Sequence, residues 1–227
     1  CRISYATSSS WTLPACEVLW THVPDSTTYR KLVDRSARRE ALKRFVLTGG
    51  KLLATDFAAF LPSDLGIEPV RPSVRLDTLR DDWLWDKKGY QSFQGHPLFS
   101  GLFGGEYVWD ASSDHVLPIV GYNGDQWPAR GQVVGVEKSY VFLHGERKIA
   151  ILHQHGSGKV LSLGGMIYFG REHHLRANME QFITNSLLEG TRWVLFERNR
   201  PWLWARVRSQ VQELLDALDR AGALVGR

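Results

Sequence analysis

The chain has little cysteine, little methionine and no long apolar run. Its two cysteines, Cys1 and Cys16, stand among 227 residues; their spacing matches no zinc site, and they allow a single disulfide without implying one. No stretch approaches the ~20 consecutive apolar residues of a membrane-spanning helix. A Lys/Arg block is missing as well. The net charge is only +4, and the densest basic cluster (Arg35, Arg38, Arg39, Lys43, Arg44) recurs at helical spacing. That is the pattern of a solvated helix face rather than a nucleic-acid surface. Internal repeats and low-complexity segments are absent too. What remains is 43% hydrophobic and 11% aromatic, enough to bury a core and unlike the composition of a disordered chain.

The first ordered pattern is a βαβ unit. A near-continuous apolar strand over Cys16–Thr21 is followed by a helix capped by Asp34 or Ser36 and running through Thr48. Its apolar residues Ala37, Ala41, Leu42, Phe45 and Val46 lie near a 3.6-residue period. Gly49-Gly50 ends the helix, and Lys51–Thr55 reads as a second buried strand. Two parallel strands joined by a crossover helix put their carboxyl ends on one edge, where α/β folds keep their chemistry. Phe57–Leu61 reads as a short helix.

Residues 69–130 are rich in Pro, Gly, Trp and Asp and show little periodicity. They read as a long excursion with short strands at Val74–Leu76 and Tyr107–Trp109, and long loops in compact domains tend to carry function. Strands are expected at Gln132–Val136 and Tyr140–Leu143. Lys148–His153 and Lys159–Leu163 flank His155-Gly156-Ser157-Gly158 as a β-hairpin. Leu175–Leu188 is an amphipathic helix carrying Leu175, Met179, Phe182, Ile183 and Leu187 on one face. A second amphipathic helix spans Trp202–Leu224, with Pro201 at its start. A short strand over Arg2–Ala6 precedes everything else.

Four motifs in this order carry a family resemblance: Glu17–His22, Phe45–Thr55, Gly95–Leu102 and Gly158–Gly165 followed by the helix with Phe182 and Asn185. Over residues 16–188 the chain resembles the class I glutamine amidotransferase-like superfamily of flavodoxin-like domains. It is most similar to the branch of trehalose-utilisation-type proteins and accessory domains of bacterial carbohydrate-active proteins. The resemblance implies a three-layer α/β sandwich with a mostly parallel sheet over residues 1–190, and a helical extension over 191–227. It also implies a strand beside Val18–Trp20 that this sequence does not supply in the usual place. Arg2–Ala6, a partner chain or other polypeptide is expected to fill that slot. The family's nucleophilic cysteine follows the strand after the Gly-Gly turn. Here that stretch is Ala54-Thr55-Asp56-Phe57-Ala58-Ala59, without a thiol. The family's His-x-Glu pair is not matched either, since Glu172 precedes His173 and His174.

The candidate site residues follow from the strand ends. His22, Asp25 and Asp56 are candidates for acid–base work, Asp25 and Asp56 equally for helix caps. Thr55, Asp56, Trp83, Trp85, His96, Glu106 and Trp127 are candidates for ligand contact, because carboxylates accept hydroxyl hydrogen bonds and indole faces stack on sugar C–H groups. Asp81, Asp82 and Asp86 surround the first two tryptophans. His153, His155, His173 and His174 show no spacing that completes a metal site. The Gly156-Ser157-Gly158 turn has neither Walker nor Rossmann spacing, so no cofactor is expected. The sequence points to a non-catalytic amidotransferase-like module that binds carbohydrate or a protein partner within a larger polysaccharide-processing protein. A hydrolase using carboxylate or His at the strand ends, or a docking domain, are the alternatives. The C-terminal helix is expected to meet a second copy or a neighbouring domain, and neither nucleic acid nor a membrane-spanning segment is expected. Because Cys16 lies at the edge of a buried strand and the elbow lacks a thiol, no ammonia release from glutamine is expected. A release that disappears in Cys16→Ala would contradict this.

Overall fold

The computed structural model describes residues 13, 16–78, 87–91, 96–102, 107–110, 116–139, 142–165, 167 and 176–191. All but Leu13 belong to the compact unit Ala15–Thr191. In chain order the elements are β1 (Val18–Val23), α1 (Ser26–Val33), α2 (Ser36–Leu47), β2 (Lys51–Asp56) and a 3₁₀ turn (Phe57–Phe60) running into α3 (Leu61–Asp64). These are followed by β3 (Ser73–Thr78), β4 (Lys87–Gln91), a second 3₁₀ turn (Pro97–Phe99), β5 (Tyr107–Asp110) and β6 (Val116–Asn123). The last are β7 (Gln132–Ser139), β8 (Phe142–His155), β9 (Gly158–Leu163) and α4 (Arg176–Thr191).

The βαβ connection forms as its pattern implies, but β1 is only part-buried, with Val23 its one buried residue, where a strand covered on both faces was expected. β1 and β2 are parallel neighbours, with Val18 opposite Lys51 and Val23 opposite Asp56, and every residue of β2 is buried. The crossover holds two helices where one was expected. Asp25 caps α1 by accepting the Thr28 N–H at 2.8 Å. Asp34 does not cap the next helix but closes α1, its N–H reaching Arg30 O, and α2 starts from Arg35 with no side-chain cap bond. The chain leaves α2 through Gly49, at φ +109°.

The β8–β9 hairpin forms where expected, with a two-residue turn between His155 and Gly158, but β8 is one continuous strand over Phe142–His155 where two separate strands were expected. Gly156 has φ +60°, the left-handed conformation that a type II′ turn needs at its first central residue.

The sheet is mixed, which corrects the expectation of a mostly parallel one. Its order is β1-β2-β9-β8-β7-β4-β5, with β3 pairing β6 and β6 also pairing β8. Only β1–β2 and β2–β9 are parallel; the other described pairings are antiparallel. The reason is connection length: short turns, as at Gly156-Ser157, can only return a strand antiparallel, whereas a parallel neighbour needs a long crossover. Within the 69–130 excursion the two expected short strands form as β3 and β5, and β4 and β6 are added to them. Pro118 and Gly121 interrupt the alternation of β6, which hides this strand from a pattern reading.

The main core lies between the sheet and α4. Leu53, Ile149, Ala150, Leu161 and Leu163 pack with Met179, Phe182 and Ile183 of α4, and Tyr90 and Leu98 close the cluster. The Tyr90 and Phe182 rings lie 4.8 Å apart. Asn185 of α4 donates to Leu98 O and Ser100 O at 2.9 and 2.8 Å, which pins the His96–Ser100 turn to the helix. The expected apolar face of α4 is therefore real, apart from Leu175, which lies outside the described residues. So do the Arg2–Ala6 strand and the Trp202–Leu224 helix. Among the described residues β1 pairs only with β2.

A second, polar junction lies between the β2–β3 and β6–β7 connections. The buried Glu68 carboxylate accepts the backbone N–H groups of Val70, Ala129, Arg130 and Gly131 at 2.8–3.0 Å. Burial pushes its pKa up, but the four amides outweigh that and hold it below the usual range. His153 lies 3.6 Å from this carboxylate and is 2% exposed.

Beyond β9 the backbone passes very close to β6. Val120 N–H donates to Gly164 O at 2.8 Å, and Gly164 N–H donates to Ile149 O at 2.8 Å. A Cβ on Gly164 would run into the Val120 carbonyl. Gly164→Ala is therefore expected to destabilise the fold by at least about 2 kcal/mol, the scale of overpacking where backbone must move. Urea denaturation of parent and variant would measure it.

Candidate functional site at the strand ends

The carboxyl ends of β1 and β2 bring four polar side chains together. Trp20 and His22 alternate on one face of β1, their ring centroids 6.1 Å apart. Opposite His22 in the register is Thr55, and opposite Val23 is Asp56. The Trp20 indole N–H donates to Thr55 Oγ1 at 3.0 Å. His22 Nδ1 lies 3.0 Å from the same oxygen and 3.4 Å from Asp56 Oδ2. Indole is a donor only, so it occupies one lone pair of the Thr55 hydroxyl and leaves the hydroxyl proton available to the imidazole.

Asp56 is the unusual residue. It lies at φ +58°, ψ −125°, the one positive φ outside glycine among the described residues. Side chains rarely tolerate this region, and holding one there costs about 1–3 kcal/mol. It is where the strand turns sharply into the 3₁₀ segment. The carboxylate does not cap that turn. Instead Oδ1 accepts the Ile167 N–H at 2.9 Å, which ties the end of β2 to the segment that follows β9. Tyr90, fully buried, donates to Gly165 O at 2.9 Å in that same segment. Burial pushes the Asp56 carboxyl up to about 7, only partly offset by the Ile167 hydrogen bond, and burial lowers the His22 imidazole. The carboxyl therefore changes charge near neutral pH beside a His whose side chain is 33% exposed.

Of the sequence-derived candidates, the structure brings His22, Thr55 and Asp56 together. Asp25 lies just beyond β1 and is occupied as the cap of α1. His96 precedes the second 3₁₀ turn, where its ring accepts the Leu98 N–H. Trp127 belongs to the β6–β7 connection, over Lys148. Trp83, Trp85, Glu106, His173 and His174 lie outside the described residues. Trp20 was missed by sequence reading; its i, i+2 spacing from His22 was the available signal. The Glu68–His153 contact had none, since the two are far apart in sequence. Among the described residues no group of three or more His, Cys, Asp or Glu is arranged to hold a metal.

No family model and no curated protein matches the chain. Among solved structures it is similar to the β-galactosidase from Rahnella sp. R3, at 15% identity and a TM-score of 0.44 over 68% of this chain and 21% of that one. It is similar to the β-galactosidase from Bacillus circulans sp. alkalophilus at 11% identity and a TM-score of 0.43, over 76% of this chain and 21% of that one. A cytoplasmic protein from Salmonella typhimurium matches at 14% identity and a TM-score of 0.37, over 76% of this chain and 70% of that one. The chain spans about a fifth of the length of the β-galactosidase chains it matches.

The two buried titrating groups act on stability with opposite sign. Asp56 is raised to about 7, so between about 4 and 7 the folded chain keeps a proton that the unfolded chain has released, and stability falls as pH rises. His153 is lowered by burial to about 4, so the unfolded chain binds the extra proton and stability falls as pH drops from about 6.5. Asp56→Asn removes the first dependence and keeps an acceptor for Ile167. The variant is expected to gain on the parent by about 2 kcal/mol between pH 5 and pH 8. Chemical denaturation at the two pH values would read this, and a gain independent of pH would contradict it.

Proposed function

We propose that this chain is a divergent, thiol-less amidotransferase-like module of flavodoxin-like descent whose strand-end cluster binds a carbohydrate. The observation that carries the reading is the elbow residue. Where the resembled family keeps a nucleophilic thiol, this chain holds a buried carboxyl tied to the Ile167 amide. Beside it stand Trp20 and the part-exposed His22, both on the Thr55 hydroxyl. An indole next to a hydroxyl, an imidazole and a carboxyl matches a sugar, which offers C–H faces for stacking and hydroxyls that both donate and accept. His22 and Trp20 are the solvent-reaching contacts in this reading, and the buried Thr55 and Asp56 hold them in place. His96, Trp83, Trp85 and Glu106 form the proposed wider set, and Trp127 is a ligand contact on the separate β6–β7 connection. The module is one part, over residues 1–190, of a longer polysaccharide-processing protein, and the 191–227 helix is its contact to a second copy or a neighbouring domain.

A second reading is favoured by one specific observation. A carboxyl near pKa 7 on a sharply turned residue is suited to general acid–base catalysis. In that case the chain is a hydrolase acting on a carbohydrate, amide or ester, with Asp56 moving the proton and His22 assisting.

Saturation-transfer NMR with galacto-, gluco- and xylo-oligosaccharides, run beside aryl-glycoside and aryl-ester hydrolysis assays, separates the two. The binding reading expects contact with one series that weakens at least about fivefold in His22→Ala and Thr55→Val, with no hydrolysis. Turnover that Asp56→Asn abolishes would establish the hydrolase instead. Absence of both contact and turnover would sink both readings.

A further inference from the structure

Two buried charges hold one surface connection in place. Residues 124–131, between β6 and β7, are anchored at one end by Lys148, which is 1% exposed. Its ammonium donates to Gly124 O at 2.6 Å and to Gln126 O at 3.0 Å, and it faces the Trp127 ring at 4.2 Å from the centroid. The other end is anchored by Glu68, which accepts the amides of Ala129, Arg130 and Gly131. Between them the Gln126 side chain donates to Arg71 O at 2.7 Å. Burying an ammonium and a carboxylate is expensive, and here both act on the same eight-residue stretch.

That stretch displays an indole. Trp127 is 57% exposed in a turn with Gly124, Asp125 and Pro128, where small polar residues are the rule. The indole keeps more than half of its surface in solvent. One of its faces meets the Lys148 ammonium, over a backbone that both Lys148 and Glu68 bond. Ordering a contact residue before the ligand arrives lowers the entropic penalty of binding.

We propose that the 124–131 connection is a preformed stacking platform for a pyranose ring of a neutral polysaccharide, with Trp127 as the contact residue and Lys148 as the residue that positions it. The proposal rests on the carbohydrate reading but uses a different loop from the strand-end cluster. Asp125, exposed on the same connection two residues before Trp127, suits sugar hydroxyls and disfavours a phosphate backbone. The Lys148 charge lies beneath the indole, directed at carbonyls of the loop, so it is not presented to a polyanion.

The test is affinity electrophoresis of the full chain in native gels containing soluble β-1,4-galactan, xyloglucan or starch. Retardation by one of them is expected, with the dissociation constant rising at least about tenfold in Trp127→Ala and less in Trp127→Phe. Lys148→Met keeps the side-chain length and removes the ammonium. It should weaken retardation several-fold while far-UV circular dichroism is unchanged. Trp127→Ala should raise the dissociation constant by the same factor in a His22→Ala background as in the parent, because the two contacts are separate. Retardation that follows His22 and Thr55 but ignores Trp127 would overturn the platform and leave the strand-end reading standing. No retardation of the parent chain by any of the three polymers, or Trp127-dependent retardation by polyuridylate or polyproline in their place, would overturn it as well. Since Trp127 is on the surface, loss of binding in Trp127→Ala with an unchanged melting temperature cannot be a folding effect.

Discussion

Strand β9 has to satisfy two ladders of opposite sense. On one side it runs parallel to β2, Lys51 opposite Lys159 through Thr55 opposite Leu163. On the other it runs antiparallel to β8, Ala150 opposite Leu163 through His155 opposite Gly158. Buried N–H and C=O groups left unpaired here would cost about 1–3 kcal/mol each, so the strand's position is stringent. Glycine makes it possible at both ends. A side chain at Gly158 would meet the carbonyls of Val46 and Gly50, and one at Gly164 would meet that of Val120. Through β9 the parallel βαβ unit and the antiparallel remainder become one sheet.

The candidate site is a consequence of that junction. β1 and β2 end side by side because they are parallel, and the backbone leaving β9 passes over the end of β2 because they are parallel too. Ile167 thus presents its amide to Asp56, and Tyr90 closes the segment from beneath. The same arrangement buries the Asp56 carboxyl and raises its pKa to about 7. A strained backbone and a carboxyl that resists ionisation are both unfavourable for the folded state, and their coincidence on one residue is the strongest pointer to function in this part of the molecule.

Buried charge is used differently elsewhere. Glu137 is fully buried, and Arg75 of β3 and Arg147 of β8 both pair with it, linking the β3–β6 ribbon to the main sheet. Lys148 and Glu68 fix the β6–β7 connection. Each of these charges is matched by specific donors or acceptors, which is the condition under which a buried ion is sustainable. Most of the partners lie far away in the chain: Arg75 is 62 residues from Glu137, and Ala129, Arg130 and Gly131 are 61–63 residues from Glu68.

What the sequence determined by itself was local. The βαβ unit, the Gly49-Gly50 stop, the β-hairpin with its Gly-containing turn and the apolar face of α4 follow from patterns only a few residues long, because backbone sterics and helical or strand periodicity act over that range. The strand ends carrying His22, Thr55 and Asp56 could be placed on one edge for the same reason. The mixed sense of the sheet, the role of β6, the pairing of Trp20 with Thr55, the turned backbone at Asp56 and the grip of Lys148 on Trp127 were decided only by the tertiary structure. They depend on which distant segments come together, on how closely backbone approaches backbone, and on how far water is excluded. Neither periodicity nor composition records these quantities.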